Sequence, residues 1–375
     1  MKVWSLGRTA AVLSATALAL AACGSDNATG AAAGTDATAS ASTVSGTLTG
    51  AGASSQAAAM DAWIAGFNAA NPAASVQYSP DGSGAGREAL LAGGAQFAGT
   101  DAYLSDEEAE SSLEVCGPDG ALHIPAYISP IAIAFNLEAV EELNLDADTI
   151  AGIFRGEINA WNDPAIAGQN EGTELPATAI TVIHRSDESG TTENFTEFLA
   201  AAAPSVWTDE PDGEWPAGLS GQENAQGTSG VVSAASSTEG AITYADASAV
   251  GTMGTVAVKV GDDYVAYTAD AAAKAVDAST PVEGEARPEL DMAMELARDT
   301  TESGAYPVVL VSYHLYCTAY EDQETVDLVK AFGHYVVSPD GQAAAAGAAG
   351  NAPMSANLQE QASKALDSIK VASPN

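Results

Sequence analysis

Basic residues are scarce in this chain: 12 Lys and Arg stand against 50 Asp and Glu among 375 residues, a formal charge of −38. That balance argues against a nucleic-acid partner, because such binding depends on neutralising phosphates with Lys and Arg. It argues equally against polybasic attraction to anionic lipid. An acidic surface suits a body in a salty medium, where screening over about 8 Å blunts self-repulsion. It is no bar to binding an anion, since donors gathered in a cleft outweigh a screened global charge. Cysteine is scarcer still, with three residues, no Cys-x-x-Cys and no Cys/His cluster, so no metal site is expected. Only four histidines are present, His123, His184, His314 and His334, and each reads as a packing or surface residue. Long hydrophobic runs are absent too. The uncharged run Ala10–Ala22 falls short of the roughly 20 residues that a membrane-spanning helix needs.

What is there begins with an export signal. Lys2 and Arg8 precede the run Ala10–Ala22, the arrangement of a signal peptide over residues 1–22. The run ends in Leu20-Ala21-Ala22-Cys23-Gly24, which resembles the bacterial lipobox, in which the cysteine is acylated and becomes the mature N-terminus. The alternative is cleavage after Ala22 with a free cysteine left behind. Removing residues 1–22 leaves 10 basic against 50 acidic residues, a charge of −40. With Cys23 assigned to lipid, Cys116 and Cys317 remain as an even pair in an oxidising compartment, and a disulfide is expected, against the alternative of two buried thiols. Residues 23–45 are nearly all small and polar and read as a flexible tether.

The remaining 330 or so residues are too many for one core and comfortable for two domains. Short β-like runs alternate with helical patterns, the signature of α/β sheets covered by helices. Val76-Gln77-Tyr78, Thr181–His184 and Val308–Val311 read as strands, as does Ile124–Phe135 with a break at Pro130. Helical spacing is clearest at Met60, Trp63, Ile64 and Phe67, and again at Phe195, Phe198 and Leu199. No repeat at a fixed period is present.

Four segments place small or hydroxyl residues where a loop turns into a helix. They are Thr49–Ser55, Asp81–Arg87, Ala98–Asp101 and His184–Thr192. Glycines there let backbone approach a ligand, and exposed N–H groups with the helix dipole favour an anion. Singly, each has a plain reading as a turn or an N-cap at Ser54, Ser83 or Ser189; four together point to an anion cleft. A Walker loop is excluded because Gly84-Ala85-Gly86-Arg87 lacks the lysine, and a nucleophile elbow because Gly52-Ala53-Ser54-Ser55-Gln56 lacks the trailing glycine.

In order and spacing these segments resemble the phosphate-binding protein of the high-affinity phosphate ABC importer, from about Leu48 to the C-terminal region. Trp161-Asn162-Asp163-Pro164 and Arg185-x-Asp187-x-Ser189-Gly190-Thr191 are the specific parts. The resemblance implies a two-domain periplasmic-binding-protein-like fold of type II with the ligand cleft between domains. It implies phosphate ligands at Ser54, Ser55, Ser83, Asp101, Arg185, Ser189, Gly190 and Thr191, with Asp187 pairing to Arg185. Ser55 stands where the family often has an aromatic residue, so only its backbone N–H carries over.

Domain one is expected at 46–129 plus 308–375 and domain two at 130–307, with crossing strands near Ser129–Ile133 and Val308–Ser312 as hinge. The expected protein is a monomer without cofactor, not an enzyme, held outside the cytoplasm by lipid on Cys23 and docking on membrane-embedded ABC permease subunits. Alternatives are a binding protein for sulfate or molybdate, or a secreted phosphoesterase using Ser54 or Ser189, for which no base is in evidence. An adhesive surface protein leaves the clustered turns unexplained.

Overall fold

The computed structural model describes residues 44–277 and 279–373. The signal segment, Cys23 and most of the tether lie outside the described residues. No helix among the described residues is long and apolar enough to cross a membrane.

One mixed sheet runs through the molecule. Its order is Ala74–Ser79, Gly46–Gly52, Phe97–Thr100, Val309–Cys317, Ala121–Phe135, Ala241–Asp246, Thr181–Arg185 and Glu223–Ala225, with Gly254–Val260 joining Ala121–Phe135 to one side. The first three strands are parallel to one another, as are Ala241–Asp246, Thr181–Arg185 and Glu223–Ala225, so each group needs crossover helices. Two long antiparallel strands, Val309–Cys317 and Ala121–Phe135, connect the groups and are buried along their whole length. We call the group before them the first lobe and the group after them the second.

The long strand Ala121–Phe135 passes through Pro130 without the expected break. Proline lacks an N–H, and it is tolerated here because the strand changes partner at that residue. Pro130 is the last residue to face Val309, and Ile131 is the first to face Asp246 of the second lobe. Four residues earlier, at Ala126, the register slips between Ser312 and Tyr313, which face Tyr127 and Pro125. The carbonyl of the intervening Ala126 accepts from Gln342 Nε2 at 3.0 Å instead.

The helical spacing at Met60, Trp63 and Phe67 corresponds to the helix Ala57–Ala70, which buries these three side chains and leaves Ile64 half-buried. Phe195, Phe198 and Leu199 line the buried side of Gly190–Ala202. Residues 282–296, which the expected boundary assigns to the second domain, hydrogen-bond to a connecting strand and to the first lobe: Met292 N donates to His123 O at 3.2 Å, and Tyr103 donates to Glu295 at 2.8 Å.

Cys116, at the end of the helix Asp106–Val115, is disulfide-bonded to Cys317 at the end of a connecting strand, 201 residues on. Closing so long a loop restricts the unfolded chain, by about 5 kcal/mol at most on the chain-entropy account. A non-reduced digest is expected to yield one peptide pair joining Cys116 to Cys317. Replacing both by Ser is expected to lower the melting temperature without changing the far-UV spectrum; two alkylatable thiols in the native protein would refute the pairing.

Candidate ligand-binding site

The four glycine-hydroxyl segments meet where the two lobes face each other across the connecting strands. Gly50 to Ser55 end the strand Gly46–Gly52 and lead into the helix Ala57–Ala70. Gly82 and Ser83 open the helix Ser83–Leu91, Asp101 follows the strand Phe97–Thr100, and Ser189 caps Gly190–Ala202 by accepting from Thr192 N at 3.2 Å. Ser189 is therefore an N-cap as well as a candidate ligand residue. Ser54 and Ser83 are not caps; Gln56 and Gly82 hold those positions.

Asp101 is the meeting point. Its carboxylate accepts from Ser55 Oγ at 2.6 Å and from Thr191 Oγ1, on the opposite lobe, at 2.9 Å. Its backbone N–H donates to Ser83 Oγ at 3.1 Å, and its carbonyl accepts from Asn194 Nδ2 at 2.7 Å. A carboxylate has about four lone-pair positions, so two acceptor sites remain after Ser55 and Thr191 are counted. The hydroxyl of Ser55, uncertain from sequence, thus orients Asp101. Gly190 sits so close that a Cβ there would lie 2.8 Å from Asp101 Cβ and from Ser83 Oγ. Only glycine permits this approach.

Arg185 is 3% exposed. Its Nε donates to Asp187 Oδ1 at 2.8 Å and its Nη2 to Asp187 Oδ2, a two-point pairing that leaves three of its five N–H donors for another acceptor. Burial pushes the Asp187 carboxyl up, but the hydrogen bonds and charge of Arg185, with the Gly227 N–H, outweigh it and hold the group below its ordinary range. Gly82 (φ 114°) faces this pair from the first lobe, where a Cβ would lie 2.6 Å from Asp187 Oδ2. Behind Arg185 stands an aromatic wall. Tyr244 accepts from Arg185 N at 3.3 Å, pairs with Thr192 Oγ1 at 2.7 Å, and stacks on Phe195 and Trp215.

Ser54 takes part differently from its neighbour. Its Oγ lies 3.1 Å from Thr228 Oγ1 and accepts from Thr228 N at 3.0 Å, at the start of the helix Gly227–Ser237. Thr228 was missed in the sequence, although Gln226-Gly227-Thr228-Ser229-Gly230 follows a short strand and has the same glycine-hydroxyl character as the other four segments. The histidines stand elsewhere. His314 is buried, donates from Nε2 to Gln56 Oε1 at 2.9 Å, and is driven to a pKa of about 3 by burial, so it is neutral. His184 stacks on Trp215, His123 pairs with Asp291, and His334 with Asp367. Among the described residues no cluster of His, Cys, Asp and Glu is arranged to hold a metal.

At the rim, Arg87 of the first lobe reaches Glu188 of the second at 2.9 Å while also pairing with Glu108 at 2.9 Å. Glu193, one turn into the neighbouring helix, is pushed to about 8 by burial; Arg87 opposes this, and Glu197, Glu188 and Asp212 add to it.

Polar groups of two lobes converging beside paired connecting strands define a cleft-type solute-binding protein. The comparisons agree. A model of a PBP superfamily domain matches residues 37–340. The phosphate-binding protein PstS3 of Mycobacterium bovis is 35% identical over 346 residues, covering 88% of this chain and 90% of that protein. PstS 2 of Mycobacterium tuberculosis is 36% identical over 280 residues, covering 72% of this chain and 73% of that one. Among solved structures, a phosphate-binding protein from Stenotrophomonas maltophilia superposes with a TM-score of 0.66 at 21% identity, over 85% of this chain and 93% of its own. An ABC-type phosphate transport receptor from Vibrio cholerae gives 0.51 at 19% identity, over 79% and 96%. The chain belongs to the PBP superfamily and, within it, to the family of the PstS phosphate-binding proteins.

The Glu193 shift has a stability consequence. A carboxyl of ordinary pKa 4.5 raised to about 8 by folding keeps a proton that the unfolded chain gives up. Stability from this group is therefore present below pH 4.5 and is lost as pH rises towards 8. Melting temperatures measured from pH 5 to 9 are expected to fall less steeply in Glu193→Gln than in the parent chain, with the variant the more stable above pH 8. Parallel curves would show that Glu193 is ionised in the folded state.

Proposed function

We propose that this chain captures inorganic phosphate between its lobes outside the cytoplasm and delivers it to an ABC importer. The observation that carries this reading is Asp101, a buried carboxylate with acceptor capacity to spare, set among donors from both lobes. In the proposed site Arg185, oriented by Asp187, meets two phosphate oxygens with its planar guanidinium. Backbone N–H groups and hydroxyls at Ser54, Ser83, Ser189, Gly190 and Thr191 take the others, and the start of the helix carrying Thr228 adds a further donor. Ser55 acts through Asp101. The helix N-termini favour the anion despite the acidic surface.

The proposed lobes are 46–129 with 308–375 and 130–307, with residues 282–296 assigned to the first by their hydrogen bonds to His123 and Tyr103. Closure about the connecting strands buries the ion, and membrane-embedded permease subunits read the closed form. Acylated Cys23 and the tether hold the monomer at the membrane. Binding rather than catalysis is supported by the histidines, each of which is engaged with a partner other than Ser54 and Ser189.

Phosphate near neutral pH carries at least one proton and can donate to Asp101, whereas sulfate has none and would set its oxygens against that carboxylate. An unmet buried acceptor costs about 1–3 kcal/mol, more when charged, so rejection by several powers of ten is expected. Calorimetry of the mature protein is expected to register phosphate and not sulfate or molybdate. Asp101→Asn, which offers an NH₂ donor in the same shape, is expected to narrow the phosphate-over-sulfate preference in competition titrations at fixed pH and ionic strength. An unchanged preference removes Asp101 as the discriminating acceptor. For the anchor, Cys23→Ala is expected to be exported and released from the membrane fraction; a variant retained there would contradict lipidation at Cys23.

A further inference from the structure

Asn194 is 3% exposed and has no place in the ligand set above. Its Nδ2 donates at 2.7 Å to the carbonyl of Asp101 on the first lobe and at 2.7 Å to the carbonyl of Gly190 on its own helix. Its Oδ1 accepts from Arg298 Nη2. Arg298, 6% exposed, is fixed in turn. Its Nη1 donates to the carbonyl of Val309 on the connecting strand, and its Nη2 to Glu197 Oε2 at 2.7 Å.

An amide presents two donors at one end and an acceptor at the other, in nearly the same shape, so its orientation is dictated by its neighbours. Here two carbonyl oxygens demand the NH₂ end, and a guanidinium, which has only donors, demands the oxygen. Reversal would set oxygen against two oxygens and NH₂ against a cation. The two carbonyls belong to Asp101 and Gly190, whose side chain and backbone face each other across the cleft. Of these contacts, the one to Asp101 O reaches the first lobe; Gly190 lies on the helix of Asn194, and Arg298 is held by Val309 of the connecting strand and by Glu197 of that helix. An opening of the cleft would break the bond to Asp101 first.

We infer that Asn194 is a positioning residue that clasps the closed cleft by holding Asp101 to the second lobe, and that Arg298 acts through it by fixing which end of the amide faces Asp101. The inference rests on the reading of the cleft as the phosphate site. A contact made after encounter and broken before release controls departure rather than arrival.

Stopped-flow tryptophan fluorescence with inorganic phosphate tests this on the full mature chain. Asn194→Ala is expected to raise the dissociation rate by about 10-fold or more, the size of effect that follows from a lost buried hydrogen bond, with the association rate within about 3-fold of the parent. Asn194→Asp guards against a folding defect: it keeps an acceptor for Arg298, loses both donors, and is expected to accelerate dissociation similarly. Arg298→Met is expected to accelerate dissociation in the parent and to add less than about 2-fold on top of Asn194→Ala. A purely structural role would give additive effects and changes in melting temperature without this rate pattern. Unchanged dissociation in Asn194→Ala and Asn194→Asp, or additive effects of Arg298→Met, overturns the inference alone. Absence of any phosphate signal from the parent chain overturns the ligand assignment and the inference with it.

Discussion

A carboxylate buried at a boundary between two bodies is costly unless donors surround it, and Asp101 meets that demand from both sides. Ser55 donates to the carboxylate from one lobe and Thr191 from the other, while the backbone N–H of Asp101 is taken by the Ser83 hydroxyl and its carbonyl by Asn194. The requirement explains much of the local sequence. Gly190 is small because Asp101 and Ser83 approach its backbone, and Arg185 is tied to Asp187 so that its remaining donors point as a set. The aromatic stack through Tyr244 keeps the arginine turn rigid from behind. Rigidity matters because a preorganised anion site spends no binding energy on ordering its own side chains.

Local chemistry was legible in the sequence wherever it was local. The helix Ala57–Ala70 follows from apolar residues spaced at Met60, Trp63 and Phe67, and the turn at Arg185–Thr191 from its glycine and hydroxyls. Pro130 misled because proline usually interrupts a ladder, whereas this strand exchanges partners at that residue and needs no donor there. Of the three serines with a plain reading as caps, Ser189 is one, whereas Ser54 and Ser83 are not.

What stayed hidden depends on long-range contact. Thr228 lay within a segment of the right character, but nothing in its neighbourhood links it to Ser54, 174 residues away. Asn194 and Arg298 carry no local signal at all, since a polar residue mid-helix and an arginine in a loop usually face water. Only the fold brings them together over 104 residues. The attachment of residues 282–296 stayed hidden for a related reason: it runs through Met292 to His123 and through Glu295 to Tyr103 rather than through chain continuity.

The bond between Cys116 and Cys317 joins the end of a helix to the end of a connecting strand, and the strands of the second lobe lie in the chain between them. Everything from Gly117 to Tyr316 therefore lies inside a covalent ring. A single protease cut in any exposed turn of that stretch leaves one molecule, not two. Such a ring keeps the nicked halves of the cleft joined and within reach of each other.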